Sequence, residues 1–258
     1  MAGEGLQAVI EGTDWSSWTV AGRYLAASIA MGLGAIGAGV GEGYNAGEAA
    51  DASARQPSAG PDLVRAMLVG QAVAETSGIF ALVVAALLLF VPPPGPCMEV
   101  TGACLGAGMA MGLGALGSGV GCGIAGGRAA AGIGRNPRVR GDVTITMLLG
   151  QALASSPAVL ALVVSVVLLF AQPMGYYRGS SFVLAAAAMS AGLCVGAGAI
   201  GPGFGAGTAA AGACDAVSRT PEARTAITRV MLVGGAVSQS TSVYAFVTAF
   251  VLIFLVRA

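Results

Sequence analysis

Long apolar runs separated by short polar turns make up most of the chain. Six runs, at about 20–50, 63–91, 99–131, 143–171, 180–214 and 226–256, each exceed the roughly 20 helical residues needed to cross a ~30 Å hydrocarbon core. One such run would also suit a buried core helix. Six in succession, with no polar domain to bury them, predict transmembrane helices. The expected fold is therefore an all-α membrane protein with six spans. Several runs exceed the minimum, so some helix ends should project beyond the lipid.

Composition agrees. Of 258 residues, 56% are hydrophobic and 9% charged, against about 25% charged in soluble proteins, and mean hydropathy is +0.82. Twelve basic residues balance twelve acidic ones, which leaves no basic stripe for nucleic acid. Glycine is abundant, at 42 residues against 11 prolines, but no G-X-Y period suggests collagen. All the basic residues are arginines. Arg55, Arg65, Arg128, Arg135, Arg138, Arg140, Arg219, Arg224 and Arg229 lie in or beside the connections after spans one, three and five, whereas Arg23, Arg178 and Arg257 lie at the other ends. The positive-inside rule puts those three connections in the cytoplasm and both termini outside. Trp15, Trp18, Tyr176 and Tyr177 then fall at an outer aromatic belt. The N-terminal stretch has Glu4, Glu11 and Asp14 but no basic n-region, so it is not expected to be a secretory signal peptide. The five cysteines form no CxxC. Cys104, Cys122, Cys194 and Cys214 fall within or at the ends of spans and read as small packing residues.

An internal repeat organises the rest. Arg55-Gln56-Pro57, Arg135-Asn136-Pro137 and Arg219-Thr220-Pro221 recur in the three basic loops. With the prolines aligned, Gly32, Gly34, Gly37, Gly39, Gly41 and Gly43 match Gly112, Gly114, Gly117, Gly119, Gly121 and Gly123, and then Gly196, Gly198, Gly201, Gly203, Gly205 and Gly207. Gly70, Gly150 and Gly234 also coincide, as do Phe90, Phe170 and Phe254. The chain thus divides into an N-terminal extramembrane segment (1–19) and hairpins at 20–95, 96–176 and 177–258. Residues 32–37, 112–117 and 196–201 each satisfy G-x-G-x-x-G. A dinucleotide site needs a preceding strand and an acid about 20 residues on, whereas these matches lie inside long apolar helices. In lipid, small residues let helix backbones approach closely. Glycine at nearly every second position suits a helix pressed by neighbours on both sides, as in the inner layer of a closed ring.

Two carboxylates lie deep in the first hairpin. Glu42 and Glu75 are each about 12–13 residues from the loop, roughly 18–20 Å in at 1.5 Å per residue. An ionised carboxylate there costs at least about 2.5–3.5 kcal/mol, so a shared proton or cation is expected between the two. Intramembrane acids commonly mark an ion path; the bland alternative is a permanently protonated pair that glues helices together. Glu75 corresponds to Ser155 and Gln239 in the other hairpins, and Glu42 to Cys122 and Ala206. Three hairpins carry one titratable site.

The glycine-rich first helix, the Arg-x-Pro loop and the second-helix stretch Gly70-Gln71-Ala72-Val73-Ala74-Glu75-Thr76-Ser77-Gly78-Ile79-Phe80 resemble the rotor-ring proteolipid, or c-subunit, of rotary ATP synthases and ATPases. The resemblance covers nearly the whole chain as three fused copies, with wording closest to the bacterial F-type branch. It implies a two-layer homo-oligomeric ring in the membrane, turning against a stator subunit whose arginine displaces the ion from each carboxylate. Central-stalk subunits would meet the loops Arg55-Gln56-Pro57, Arg135-Asn136-Pro137 and Arg219-Thr220-Pro221. The setting it implies is a bacterial cytoplasmic membrane, with membrane lipid around the ring. No tightly bound cofactor is implied, only transported Na+ or H+.

Glu75 falls on the family's ion-carrying carboxylate. Glu42 stands where sodium-binding members have a glutamine, and a two-carboxylate variant is known. In the sodium type a neighbouring hairpin supplies a carbonyl two residues before the glutamate position and a hydroxyl one after it. The resemblance therefore implies Val237 and Ser240 of the third hairpin of the next chain, with Tyr244 in support. Leu153 and Ser156 of the second hairpin are the alternative, because Pro157 lacks the N–H that would bond the Leu153 carbonyl and hard cations prefer oxygen. One site per three hairpins suggests an ATP-driven ion pump. A stand-alone secondary transporter or channel is the other reading, although such proteins usually have inverted repeats and broken helices, and these repeats are parallel.

Overall fold

The computed structural model describes residue 12 and residues 14–170 and 181–255; Tyr176, Tyr177, Arg178 and Arg257 lie outside them. All regular structure among these residues is helical. The six long helices are α1 (Trp15–Arg55), α2 (Gly60–Phe90), α3 (Met98–Arg135), α4 (Arg140–Phe170), α5 (Ser181–Arg219) and α6 (Arg224–Phe254). Each is long and apolar enough to cross a membrane. α1, α3 and α5 run past their apolar runs, up to the arginine of each Arg-x-Pro loop. At the other end α1 begins at Trp15, inside the segment 1–19, where the Asp14 carboxylate caps it by accepting from the Ser16 N–H at 3.1 Å. Hydrogen bonds from the Ser16 and Ser17 hydroxyls hold the Asp14 carboxyl below the usual aspartate range.

The three loops are one structure written three times. Gln56, Asn136 and Thr220 adopt nearly the same backbone angles (φ −137°, ψ 75°; φ −140°, ψ 82°; φ −137°, ψ 70°). Each is followed by a short 3-10 turn opened by the proline, whose fixed φ and missing N–H suit a first helical position. The turn closes through Ala59 N–H to Gln56 O, Val139 N–H to Asn136 O and Ala223 N–H to Thr220 O.

The helices form two rows. The glycine-rich helices α1, α3 and α5 pack side by side, and α2, α4 and α6 lie over them, α2 against α1 and α3, and α4 against α3 and α5. α6 lies over α5 with no further glycine-rich helix beyond it in the chain. Burial follows: 67% of the most apolar stretch of α3 is buried, but only 17% of that of α6.

Glycine sets the spacing in the first row. A Cβ on Gly119 would come within 2.6–2.8 Å of the Gly37 and Ala38 backbone, and one on Gly203 within 2.8 Å of Gly117. A Cβ on Gly117 would in turn meet the Ile200 backbone. Each helix of this row therefore offers one glycine stripe to its predecessor and another to its successor. At the two ends of the row the stripes face nothing in the chain: Gly32, Gly39 and Gly43 on α1, and Gly201 on α5, have open space. The cysteines pack as small residues. All five are free, with Cys104, Cys122 and Cys214 buried.

Ion pairs repeat with the same period. Arg140 at the start of α4 reaches Asp62 at the start of α2 (2.9 Å), and Arg224 at the start of α6 reaches Asp142 of α4. In the first row Arg135 pairs with Asp215, which also takes Arg219 at 2.6 Å. At the opposite end Arg23 donates to the Leu88, Leu89 and Val91 carbonyls (2.7–3.2 Å), satisfying acceptors that a helix end leaves open.

Candidate ion-binding site

The site is built on the middle turns of α1 and α2. Glu42 is partly buried on α1 and Glu75 is exposed on α2, close enough for their charges to interact. A helix-to-helix bond fixes their relative height: Gln71, one turn before Glu75, donates its Nε2 to the Glu42 carbonyl at 3.1 Å. Nearer the loop, Asn45 of α1 donates to the Met67 carbonyl at 3.1 Å and packs into room left by Gly70 and Gly126. Among the described residues no cluster of three or more cysteine and acidic side chains forms a metal centre.

The second hairpin keeps this framework without the acids. Gln151, the counterpart of Gln71, is fully buried and donates to the Cys122 carbonyl at 2.8 Å and across to Gly70 O of α2 at 3.0 Å. Cys122, the counterpart of Glu42, donates its thiol to Gln151 O at 3.5 Å. Ser155, the counterpart of Glu75, turns its hydroxyl to Ala152 O of its own helix, as does Ser156.

In the third hairpin Gln239 stands for Glu75. Its Nε2 donates to the Leu153 carbonyl of α4 at 3.1 Å and to the Pro202 carbonyl of α5 at 3.3 Å, and its Oε1 accepts from Ser242 Oγ at 3.3 Å. The carbonyl left without its helical partner by Pro157 is thus taken by a side chain of the next hairpin. Val237 and Tyr244 lie on the same helix, 68% and 67% exposed, and Ser240 donates to Val237 O at 2.7 Å. Within one chain these three are not brought together with Glu42 and Glu75. The loop residues Arg55, Gln56, Pro57, Arg135, Asn136, Pro137, Arg219, Thr220 and Pro221 form one rim of the molecule. The roles of Gln71, Gln151 and Gln239 as cross-helix donors do not show in the sequence, where the only signal is a polar residue recurring inside an apolar helix.

This arrangement, a helical hairpin repeated three times with one carboxylate pair midway along two apolar helices, is that of a multi-pass membrane proteolipid. The family model for the ATP synthase c-subunit matches the chain three times, over residues 25–88, 105–168 and 189–252, and the chain belongs to that family. It is similar to the ATP synthase c-subunit of Natranaerobius thermophilus, 50% identical over 80 residues, or 31% of this chain and 92% of the relative. The ATP synthase c-subunit of Petrotoga mobilis is 53% identical over 72 residues (28% and 75%), and that of Thermotoga petrophila 49% over 70 residues (27% and 82%). Each relative corresponds to about one hairpin. The chain is a multi-pass membrane protein containing three such units.

Proposed function

We propose that this chain is the rotor-ring subunit of a rotary ATP synthase or ATPase and carries Na+ or H+ across the membrane on Glu75. The observation that carries the reading is the survival of one intramembrane carboxylate pair in a scaffold otherwise repeated three times. Ring closure between copies is supported by the unpaired glycine stripes. Gly32, Gly39 and Gly43 occupy the repeat positions of Gly112, Gly119 and Gly123, which pack on the preceding helix. Gly201 occupies the position of Gly117, which packs on the following one. Charge supports the same joint: Asp215, the partner of Arg135, has Asp51 as its counterpart in the first hairpin, so Arg219 of one copy would meet Asp51 of the next.

The repeat also favours one set of neighbour ligands. Gln239 meets Leu153 of the preceding hairpin, so Glu75 would meet Val237 of the third hairpin in the adjacent copy. The site then comprises Glu42 and Glu75 of one chain with the Val237 carbonyl and Ser240 hydroxyl of another, supported by Tyr244. Leu153 and Ser156 are disfavoured, because their hairpin faces hairpin 3 of the same chain, where Gln239 stands in place of a carboxylate.

The ring turns against a stator arginine, with stalk subunits on the loop rim. Its loops face the cytoplasm and both termini face outside, in a bacterial inner membrane. A ring of n chains carries n ions per turn on 3n hairpins. A low ion-to-ATP ratio suits an ATP-driven pump, since fewer ions share the energy of each ATP. A carbodiimide tests the reading. The adduct is expected on Glu75 and suppressed by Na+ or, for a proton carrier, by raising the pH. Absence of ion- or pH-sensitive labelling in an assembled ring overturns it, as does a monomer or dimer that transports a solute.

A further inference from the structure

Gln239 occupies the place of an ion-carrying carboxylate, and its surroundings are more specific than a lost function requires. Both amide N–H bonds are used across helices, one on Leu153 O and one on Pro202 O, and the amide oxygen accepts from Ser242. The first acceptor exists because of Pro157, which lies inside α4 and has no N–H to give to Leu153. At the equivalent position the first hairpin has Ser77, which keeps its N–H. The third hairpin also gives up the glutamine of the other two: Gly235 replaces Gln71 and Gln151, and a Cβ there would meet Leu153 Cδ1 at 2.8 Å. Proline, glycine and glutamine together bring the Leu153 segment and the residue 239 side chain into direct contact.

We infer that Gln239 is a built-in substitute for the transported ion, its N–H holding the junction of hairpins 2 and 3 closed, and that this junction is a latent second ion site whose carrying carboxylate is withheld at position 239, with Ala206 standing where the first hairpin has Glu42. The inference rests on the proposed ion-carrying role of Glu75. An amide presents its positive hydrogens where a bound cation would present its charge, so a freed carbonyl is satisfied and a cation is excluded by the same group. Replacing the amide NH2 by a carboxylate oxygen sets two acceptors against each other, an arrangement that recruits a proton or a cation. Residue 239 therefore determines whether each chain carries one ion or two.

The test uses assembled rings in native membranes. Wild type is expected to give one carbodiimide adduct per chain, on Glu75. Gln239→Glu is expected to give two, both suppressed by the same ion or the same rise in pH. A single adduct in an assembled Gln239→Glu ring, or a second adduct indifferent to ion and pH, overturns the inference. Gln239→Leu and Gln239→Leu/Pro157→Ser give a readout that needs no second carboxylate and no ion. Gln239→Leu strands the Leu153 carbonyl and should lower the ring's melting temperature, whereas adding Pro157→Ser restores an N–H within α4 and should recover part of the loss. Failure of Pro157→Ser to recover any of it also overturns the inference. If wild type gives no ion- or pH-sensitive Glu75 adduct, the rotor reading fails instead, and the coupling between positions 157 and 239 still tests the contact itself.

Discussion

Glutamate and glutamine differ by one group, yet in the proposed rotor that difference separates a carrier, Glu75, from a closed joint, Gln239. Glu75→Gln is expected to remove the ion-sensitive carbodiimide adduct and abolish ion-coupled ATP hydrolysis while the ring still assembles, which membrane labelling and a transport assay would check. Ser240→Ala should weaken ion affinity and Ser156→Ala leave it unchanged; ion-protection titrations with the opposite pattern would reassign the neighbour ligands to the second hairpin. At the first turn of α1 the Asp14 carboxylate is held below its ordinary range by Ser16 and Ser17. Its cap is therefore intact above the usual aspartate pKa and is lost as the pH falls through the depressed value. Amide exchange at residues 16–18 should accelerate in that acidic window and not above it. The carboxylates were legible in the sequence because an acid inside an apolar helix is costly to place there. Gln151 and Gln239 were not, because their partners are main-chain carbonyls on other helices, which no side-chain pattern reports. Leu153 was half legible: Pro157 announces a free carbonyl, but only the packing shows which donor takes it.

At the scale of the element, the glycine-rich helices show how far a repeat can be read. Their number, pairing and order follow from the apolar runs and the aligned prolines. Their exact ends do not, since each of the three stops at an arginine, preceded in α1 and α5 by Asp51 and Asp215, and hydropathy discounts these residues while ion pairs such as Arg135–Asp215 keep them in the helix. Periodicity also does not say which glycine faces which neighbour. Gly119→Ala inserts a methyl against the Gly37 backbone, an overpacking that costs about 1–3 kcal/mol, and should lower the melting temperature of the dissociated chain. Gly39→Ala meets open space within the chain and should leave that temperature unchanged, yet reduce the yield of assembled ring on native gels. Equal effects of the two variants on the dissociated chain would contradict the assigned faces.

The whole molecule combines two periods, a backbone that repeats with every hairpin and a chemistry that repeats with every third. In the proposed rotor the ratio of transported ions to ATP equals the number of chains divided by the three nucleotides handled per turn. The expected value is below three, measurable as ion uptake against ATP hydrolysed in vesicles, and a value of three or more contradicts the pump reading. Each ion moving through a membrane potential contributes about 2.3 kcal/mol per 100 mV, so synthesis on so few ions would require a steep gradient. The loops carry a mechanical counterpart to this arithmetic. Their ψ angles agree to within 12° across the three hairpins, so in the proposed rotor a shaft gripping that rim would meet the same backbone at every hairpin, while the motor that turns it would fire once in three teeth. Such a machine has a long stride: between firings the shaft must store twist or coast across two unpowered teeth, and its smoothness then depends on the elasticity of the parts it drives.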